Sequence, residues 1–598
     1  MATSEVSKYS VYDPRVVQTK PKYAVEKGAL SLTNVSFNAQ TANATAQQFN
    51  VIVPSENVFI DRAVDWISSG MASFTITLAG NPTAGGVPLL SPGVDIALAA
   101  FPSHQCVSQM TATINDATVT VNTADVLNYV LRLQDIGKNR KQRTCPTMLD
   151  RYAIEQNAIS FPNSPLGGYA NRYSSDESPN GAFSQWWFTD AAGAPLAGGV
   201  PVTVLLQQVY TVYIRWQSTE KLLLPPFIFG DSHELSTGLF GVQNFQVQMN
   251  MTPTPSRAIR FAASLAPGAG KSVDGTTISA ITQPAWVVGG ITNPPYPVTP
   301  ALSVQFLTPA LDVPLPPKSI VPYMEFPRYI TTGIASIPST LNTVQSSKGV
   351  QSGAVQVQSN TITLPNIPDL LLMYLKPATA GTTTFSAAPS TGVGLTWSSF
   401  IGDFTLPIEG VSINFDNFSG LLANHTAYQL YKMSVNNGLE MDYSEWSGES
   451  RASVLGAATA SAVGALTDAD ALVSTVGGPL VLRPGRDFAL QAGQAPGLVG
   501  NFTLQVNLTV GNQFSQAIAS GGVNLYIVPI SSGFFETIKG SSRIIKGVLT
   551  EQDILSAPPH APSEDLERQV GAGIHSHLKH ATSRAKGLAA KAADAIYG

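Results

Sequence analysis

The feature that most constrains the fold is an internal repeat, in which short segments of the first half of the chain recur in order in the second half. The ten residues from Gly241 align without gaps with the ten from Leu498, and they share Val, Asn-Phe, Gln and Asn positions within an apolar and polar alternation. Further pairs in the same order are Asn50–Pro54 with Asn360–Pro365, Ile114–Asp116 with Ile413–Asp416, and Leu302–Leu307 with Val523–Val528. An alternation with a period of two is typical of half-buried strands, so the chain is predicted to contain two copies of one β-unit.

The first copy is longer than the second. About forty more residues separate Asp116 from Asn244 than separate their counterparts, and the stretch from Asn244 to Leu302 is longer by a similar number. Insertions of this size belong in surface loops, because lengthening a loop costs little and a buried loop would leave backbone polar groups unpaired. Since 598 residues are too many for one hydrophobic core, two large β-sandwiches are expected, the first with long loops.

The composition favours a protein that is covered by neighbours. Charged residues make up only 12% of the chain, about half the usual share of a soluble domain. A surface poor in charge indicates assembly, with a monomer of neutral polar surface as the alternative. The net charge of −5 gives no global reason to expect nucleic-acid binding.

The sequence carries no sign of secretion or of membrane insertion. Cys106 and Cys145 are too few for a disulfide framework; they could pair, but two buried free thiols are favoured. No basic segment followed by an apolar run begins the chain, and no stretch reaches the ~18 apolar residues of a transmembrane helix. Neither a signal peptide nor a transmembrane segment is therefore expected.

Four regions are predicted along the chain. Residues 1–28 form a polar N-terminal arm, 29–310 the first β-unit, 311–532 the second, and 533–598 a C-terminal tail. The proline-dense run from Pro309 to Pro317 is typical of a short stiff connector. One helix is expected from about Asn122 or Thr123, and its counterpart in the second unit from about Asn424. Residues 452–473 are consistent with either a loop or a marginal helix.

The tail is predicted to contain an amphipathic helix with a narrow apolar seam and a local charge of +3. The seam consists of Ile574, Leu578, Ala581, Ala585, Leu588, Ala592 and Ile596. Anionic lipid, DNA and another protein all fit a helix of this charge, and the sequence does not decide among them.

No catalytic, cofactor or metal site is predicted. Ala266–Ser272 resembles the end of a phosphate-binding loop, but Leu265 stands where that loop needs glycine, so a surface loop is favoured. His575, His577 and His580 lack a cysteine or carboxylate cluster beside them, which favours a solvated helix face over a metal site. Asp231–Glu234 holds a serine, a histidine and two acids, but neighbours in an extended segment point apart.

Two further features can be interpreted either as structural or as functional. Asp65-Trp66 and the segment Glu440–Trp446 combine acids with aromatic residues, as glycoside hydrolases do, although edge or loop positions are the commoner meaning. The basic run Gly137–Arg143 suits contact with nucleic acid or an acidic partner, although a solvated loop is more common.

The repeat, the helix after corresponding strands, the long first-unit insertions and the low charge together resemble the double jelly-roll major capsid proteins of double-stranded DNA viruses. The nearest likeness is to those of virophages, Polinton-like viruses and adintoviruses, a lineage that includes the adenovirus hexon. At the level of residues the resemblance rests on the last third of the repeat, in Gly478–Asp487, Gly497–Leu508, Leu525–Ile527 and Ser532–Glu536. The rest of residues 30–532 resembles the family in architecture only.

The resemblance implies an all-β fold of two tandem jelly rolls, with short helices, long loops in the first and a helical tail. It implies a non-enzymatic capsid protein of the virion, which forms homotrimers that act as pseudo-hexameric capsomers in an icosahedral shell. Implied partners are neighbouring capsomers, penton and minor capsid proteins, and an internal membrane or the genome through the tail. A viral maturation protease is a further implied partner, with Gly571–Gly573 as a candidate site that does not fully match the usual consensus.

Two alternatives belong to other classes of protein. A carbohydrate-binding or glycan-degrading protein of two β-sandwiches is disfavoured by the scarcity of tryptophan, the lack of a secretion signal and the lack of acidic calcium-type loops. A viral spike would favour fibrous or cysteine-stapled sequence, which is not seen.

Overall fold

The structure is a computed structural model of the chain. It describes residues 31–78, 96–133, 183–190, 209–228, 238–261, 264–266, 269–271, 278–282, 284–287, 299–309, 318–338, 354–378, 404–455, 468–491, 493–513 and 517–547. The predicted N-terminal arm and the amphipathic helix of the tail lie outside these residues.

The first half of the chain contains seventeen strands among the described residues. In chain order they are β1 (Ser31–Asn38), β2 (Thr41–Ala42), β3 (Ala46–Val51), β4 (Phe59–Ile60), β5 (Asp65–Leu78), β6 (Ile96–Leu98), β7 (Val107–Ile114), β8 (Ala117–Val121), β9 (Phe183–Asp190), β10 (Val209–Lys221), β11 (Phe245–Met251), β12 (Ile259–Phe261), β13 (Ser264–Ala266), β14 (Ala269–Lys271), β15 (Ile278–Ile281), β16 (Ala285–Trp286) and β17 (Ala301–Thr308).

The second half adds thirteen strands to the described part of the molecule. They are β18 (Ser319–Glu325), β19 (Tyr329–Thr331), β20 (Val355–Gln358), β21 (Ile362–Asn366), β22 (Leu370–Pro377), β23 (Ile408–Phe415), β24 (Phe418–Leu421), β25 (Glu449–Leu455), β26 (Asp468–Ser474), β27 (Leu480–Leu482), β28 (Val499–Val510), β29 (Val523–Ile538) and β30 (Ser541–Lys546). The helices are α1 (Pro102–Gln105), α2 (Thr123–Val130), α3 (Ala427–Asn436) and α4 (Tyr443–Trp446), with 3-10 turns at Leu131–Leu133 and Ser256–Ala258.

The two halves share one strand topology. In the first half, one sheet has the order β1-β17-β5-β10 and the other the order β3-β11-β7-β8. In the second half the corresponding orders are β18-β29-β22-β27 and β21-β28-β23-β24. With the eight principal strands of each half numbered along the chain, both halves are two antiparallel sheets of order 1-8-3-6 and 2-7-4-5. This is a jelly roll, so the predicted double jelly roll is confirmed.

The hydrogen bonds correct the register of the repeat. The backbone N–H of Asn115 donates to Asn244 at 2.7 Å, and the N–H of Asp416 donates to Thr503 at 2.9 Å. Asn115 and Asp416 also share a left-handed backbone, with φ of 55° and 50°. The counterpart of Asn244 is therefore Thr503 and not Asn501. A slip of two residues keeps every side chain on its own face, so the apolar alternation could not reveal it.

Both predicted helices follow the fifth strand of their jelly roll. Helix α2 begins at Thr123 as expected. Helix α3 begins at Ala427, three residues later than expected, because Thr426 and Gln429 form a capping box there. The region 452–473, expected as a loop or marginal helix, instead contributes strands β25 and β26 of a hairpin.

The predicted boundary between the second β-unit and the tail, at 532/533, is wrong. Strand β29 continues to Ile538 and pairs with β30 as far as Lys546. The pair Ser532-Gly533 looks like a turn, but Gly533 lies within the strand, where an added Cβ would stand 2.3 Å from the carbonyl oxygen of Ile545. The glycine therefore permits close approach of two backbones. The second jelly roll extends to about residue 546.

The strand directions place the connections at two ends of each jelly roll. The connections 2–3, 4–5 and 6–7 meet at one end, which we call the base, where Ile60 donates to Leu239 at 2.7 Å and Asn115 donates its side-chain N–H to Gly241 at 3.2 Å. Strand 1 begins and strand 8 ends at the base. The strand ends that the connections 1–2, 3–4, 5–6 and 7–8 join lie at the opposite end.

Candidate functional site: the junction between the two jelly rolls

Most chemical motifs noted in the sequence fall outside the described residues or within the core. Asp231–Glu234, Gly137–Arg143, Cys145 and the tail histidines lie outside the part of the chain that the structure describes. Residues 264–271 contribute the paired strands β13 and β14 instead of a strand-to-helix loop. Among the described residues, no group of three or more His, Cys, Asp or Glu side chains could hold a metal ion.

The two tryptophans next to the candidate acids are not available to bind a sugar. Trp66 and Trp446 are 0% and 1% exposed, so neither ring can stack on a glycan. Both had been expected at edge or loop positions, but Trp66 packs edge-on against His104 inside the first jelly roll. The Trp446 indole N–H donates to Pro479 inside the second. Core packing accounts for both residues.

A buried polar cluster that sequence analysis missed lies in the first jelly roll. The His104 Nδ1 atom lies 2.5 Å from a carboxylate oxygen of Glu220, and both side chains are fully buried. Glu220 also accepts hydrogen bonds from the hydroxyl of Ser218 and the backbone N–H of Ser103, at 2.7 and 2.8 Å. The backbone N–H of Leu223 points at the His104 Nε2 atom, at 3.3 Å. Because that N–H can only donate, Nε2 is an acceptor and Nδ1 carries the proton given to Glu220.

This cluster is structural. Burial alone would raise the pKa of Glu220, but the hydrogen bonds from His104, Ser218 and Ser103 outweigh it and hold the pKa below its ordinary value. The serine hydroxyls bond to the carboxylate and to each other, not to the imidazole, so no nucleophile is activated. The nearby Cys106 thiol is fully buried, and its burial raises its pKa.

Among the described residues, the contacts that join the two jelly rolls are centred on helix α2. Tyr129 of this helix stacks on Tyr374 of strand β22 with ring centroids 3.6 Å apart. The Tyr374 hydroxyl donates to the backbone carbonyl of Asp125 at 2.7 Å. Tyr374 also stacks on Tyr526, with ring centroids 5.4 Å apart. All three rings are at most 4% exposed. Helix α2 of the first jelly roll is thus fixed against the outer face of the 1-8-3-6 sheet of the second.

Charged groups reinforce this contact. The Asp125 carboxylate lies 2.8 Å from the Arg328 guanidinium and 3.3 Å from the Lys376 ammonium. Lys376 is 1% exposed, donates to the Ala124 carbonyl at 2.7 Å and lies 5.1 Å from the centre of the Tyr526 ring. A buried ammonium with a counterion, a carbonyl and an aromatic face is well compensated.

A second ion pair extends the junction beyond the end of helix α2. The Arg132 guanidinium donates to Glu445 at 2.7 Å, and both residues are 7% exposed. The backbone carbonyl of Arg132 accepts from the N–H of Glu440 at 2.9 Å. The segment Glu440–Trp446, noted in the sequence for its acids, therefore serves to join the two units.

A third contact lies at the base. Asp116 accepts hydrogen bonds from the backbone N–H of Ser542 at 2.5 Å and from the Ser541 hydroxyl at 3.0 Å. Asn115 donates to the Ser542 hydroxyl at 2.9 Å. These hydrogen bonds, the Ser542 N–H first, hold the pKa of Asp116 below its ordinary value. The β29–β30 hairpin of the second jelly roll is therefore clamped to the 4–5 turn of the first.

The comparisons with known proteins agree with this architecture. The sequence model of the Sputnik virophage major capsid protein first domain matches residues 4–289, and that of the major capsid protein V20 C-terminal domain matches residues 337–533. Together the two matches span well over half of the chain. A curated relative is the putative capsid protein V20 of Sputnik virophage, 24% identical over 596 residues, which cover 97% of this chain and 87% of that protein.

Two solved structures show the same fold. The cryo-EM structure of the Sputnik virophage contains a chain that is 21% identical, with a TM-score of 0.63 over 94% of this chain and 98% of that one. The crystal structure of the mavirus major capsid protein has a TM-score of 0.59 and 14% identity, over 92% of this chain and 96% of that one. No helix among the described residues is long and apolar enough to cross a membrane. The two jelly rolls and the two domain matches in the same order establish that the chain belongs to the virophage major capsid protein family and is a structural protein of the virion capsid.

Proposed function

We propose that three copies of the chain form a pseudo-hexameric capsomer, and that such capsomers tile an icosahedral shell. The observation that carries this proposal is the shared 1-8-3-6 and 2-7-4-5 topology of two jelly rolls joined side by side. Two similar but non-identical units per chain let three chains present six similar walls, which suits hexagonal packing in a closed shell. The low charge of the chain fits walls that are covered by neighbouring subunits.

The proposed role is structural and not enzymatic. The polar cluster of His104 and Glu220 is fully buried in the core, so its side chains are not accessible from solvent. The two tryptophans beside the candidate acids, Trp66 and Trp446, are buried in the core as well.

The proposed domain organisation follows the sequence with one change. It comprises an arm (1–28), a first jelly roll (29–310), a second that extends from 311 to about residue 546, and a tail. The chain enters strand 1 and leaves strand 8 at the base, so arm and tail would start there. The described strands that flank the long insertions of the first jelly roll end at the other end, which would face outward.

The base is the proposed contact surface for other virion components. Several large apolar side chains that are exposed among the described residues lie there, on the ends of base-proximal strands: Leu32, Ile52, Ile320, Val499 and Ile538. Penton and minor capsid proteins, and an internal membrane or the genome through the tail, are the proposed partners. A maturation protease that cuts near Gly571–Gly573 is a further one.

Light scattering of the purified full-length chain, with negative-stain imaging of the same sample, tests the assembly. A trimer with a pseudo-hexagonal outline, or an assembled shell, is expected. A chain that stays monomeric at every concentration contradicts the proposal. Mass spectrometry of purified particles tests the cleavage, since an intact C-terminus at Gly598 excludes it.

A further inference from the structure

Helices α2 and α3 occupy equivalent places in the two jelly rolls but differ in burial. Both follow the fifth strand, and their N-caps, Asn122 and Thr426, correspond. Every residue of α2 is buried or half-buried, because the second jelly roll covers the helix. In contrast, α3 exposes one face, which includes Tyr428 (49% exposed), Lys432 and Val435 (39% exposed). A large tyrosine and a valine exposed on one helix face suggest a contact that the single chain leaves unmade.

The outer faces of the two 1-8-3-6 sheets, on which such a helix could dock, also differ in burial. In the second jelly roll all eight residues of strand β22 are buried, since α2 and its neighbours cover the outer face of the sheet. In the first jelly roll the equivalent strand, β5, alternates: residues such as Trp66 and Phe74 are buried, whereas Ile67, Ser69 and Met71 between them are half-buried. The outer face of this sheet therefore keeps partial exposure where the second sheet has none.

We infer that the exposed face of α3 docks on the outer face of strand β5 in the first jelly roll of another copy of this chain. This inference rests on the proposed capsomer and names its subunit contact. The rotation that relates the first jelly roll of a chain to its second jelly roll is then repeated between that second jelly roll and the first jelly roll of the next copy. Such a contact is heterologous, and it closes into a ring of three chains when each step turns by about 60°.

The contact between copies differs in chemistry from the junction within the chain. The residue of α3 that corresponds to Asp125 is Gln429, three residues after the N-cap in both helices, so the carboxylate that pairs with Arg328 and Lys376 has no equivalent there. An aromatic cluster takes its place: the Tyr428 ring lies 5.3 Å from that of Tyr443 and 5.1 Å from the Lys432 ammonium. Aromatic and aliphatic anchors depend little on salt, so the trimer is expected to persist at high ionic strength.

Two variants of the full-length chain, Val435→Glu and Met71→Glu, test the inference. Each places a charge in the contact from one side, and each is expected to be monomeric at concentrations where the native chain is a trimer. When the two are mixed, the intact α3 of Met71→Glu can still dock on the intact wall of Val435→Glu. The mixture is therefore expected to give a one-to-one heterodimer that does not grow, because its remaining contact carries both charges.

Ile52→Glu is the matched control. It adds the same charge at an exposed aliphatic residue (70% exposed) at the base, and it should leave the trimer intact. Circular dichroism and thermal unfolding establish that each variant is folded. A native chain that does not trimerise overturns the proposed capsomer. A native trimer together with a trimeric, folded Val435→Glu or Met71→Glu, or a mixture that stays monomeric, overturns the contact named here and leaves the capsomer standing.

Discussion

Removal of the Asp125 carboxylate is the sharpest test of the junction between the two jelly rolls. The variant Asp125→Ala leaves the Lys376 ammonium, 1% exposed, without its counterion at 3.3 Å. Loss of one partner of a buried ion pair costs about 3–5 kcal/mol. Lys376 keeps its hydrogen bond to the Ala124 carbonyl and the face of Tyr526, so the lower end, about 3 kcal/mol, is expected.

A double-mutant cycle separates the unpaired charge from general damage to the helix. Lys376→Met alone leaves Asp125 paired with Arg328 at 2.8 Å and is expected to cost about 1 kcal/mol. The double variant removes the Lys376 charge together with its partner, so it should also lose only about 1 kcal/mol, well below the sum of the single changes.

Urea unfolding followed by tryptophan fluorescence measures these differences, at one fixed protein concentration because assembly contributes to apparent stability. Additive costs in the double variant would show that Lys376 is not left unpaired by Asp125→Ala. An Asp125→Ala variant as stable as the native chain would refute the importance of the ion pair itself.

Three further outcomes follow from the described contacts. Since the pKa of Asp116 is lowered in the folded chain, its stabilising effect is present above the ordinary aspartate pKa and lost as the pH falls through the folded value. The protection factors of the β30 amides, which correct for the pH dependence of intrinsic hydrogen exchange, should therefore fall on acidification, and Asp116→Asn should reduce that fall. Gly533→Ala should cost about 1–3 kcal/mol in urea unfolding because its Cβ meets a backbone oxygen, whereas Gly410→Ala, with its nearest contacts at 3.4 Å, should be nearly neutral. In a Cys145→Ser background, a thiol reagent should modify Cys106 only as the chain unfolds, and rapid labelling of the native protein would contradict its burial.

The architecture could be predicted from the sequence because it depends on a local pattern, the alternation of apolar and polar residues. Alternation identifies strands such as Phe245–Met251, and its recurrence near residue 500 identifies a second unit of the same kind. The same pattern could not fix the register to better than two residues, since such a slip exchanges no faces. Nor could the pattern place the C-terminal end of the second jelly roll. A glycine such as Gly533 can mark a turn or a close approach of two backbones, and a single sequence does not distinguish the two.

The junction could not be predicted because its members are far apart in the chain and individually ordinary. Asp125 lies in helix α2, Arg328 in the connection between β18 and β19, and Lys376 in strand β22. Neither an acid in a helix nor a lysine in a strand indicates its partner. His104 and Glu220 were missed for the same reason, since 116 residues separate them and only the fold brings them together. The acids at Glu440–Trp446 drew attention as possible catalysts, yet Glu445 pairs with Arg132 across the junction.

The divergence of helices α2 and α3 shows what is gained by joining two jelly rolls in one chain. If the units were identical, one contact would have to serve every junction around a ring. With two units, the junction within the chain can bury charges that need a fixed partner, such as Lys376 against Asp125, because covalent linkage keeps that partner present at every step of folding. The contact proposed between chains must instead form from separate subunits, each of which exposes it to water beforehand. Tyrosine, valine and a lysine over an aromatic ring lose little hydration when two subunits meet, whereas an ion pair would have to be desolvated at that step. The mixture of Val435→Glu and Met71→Glu tests whether helix α3 makes this contact between chains.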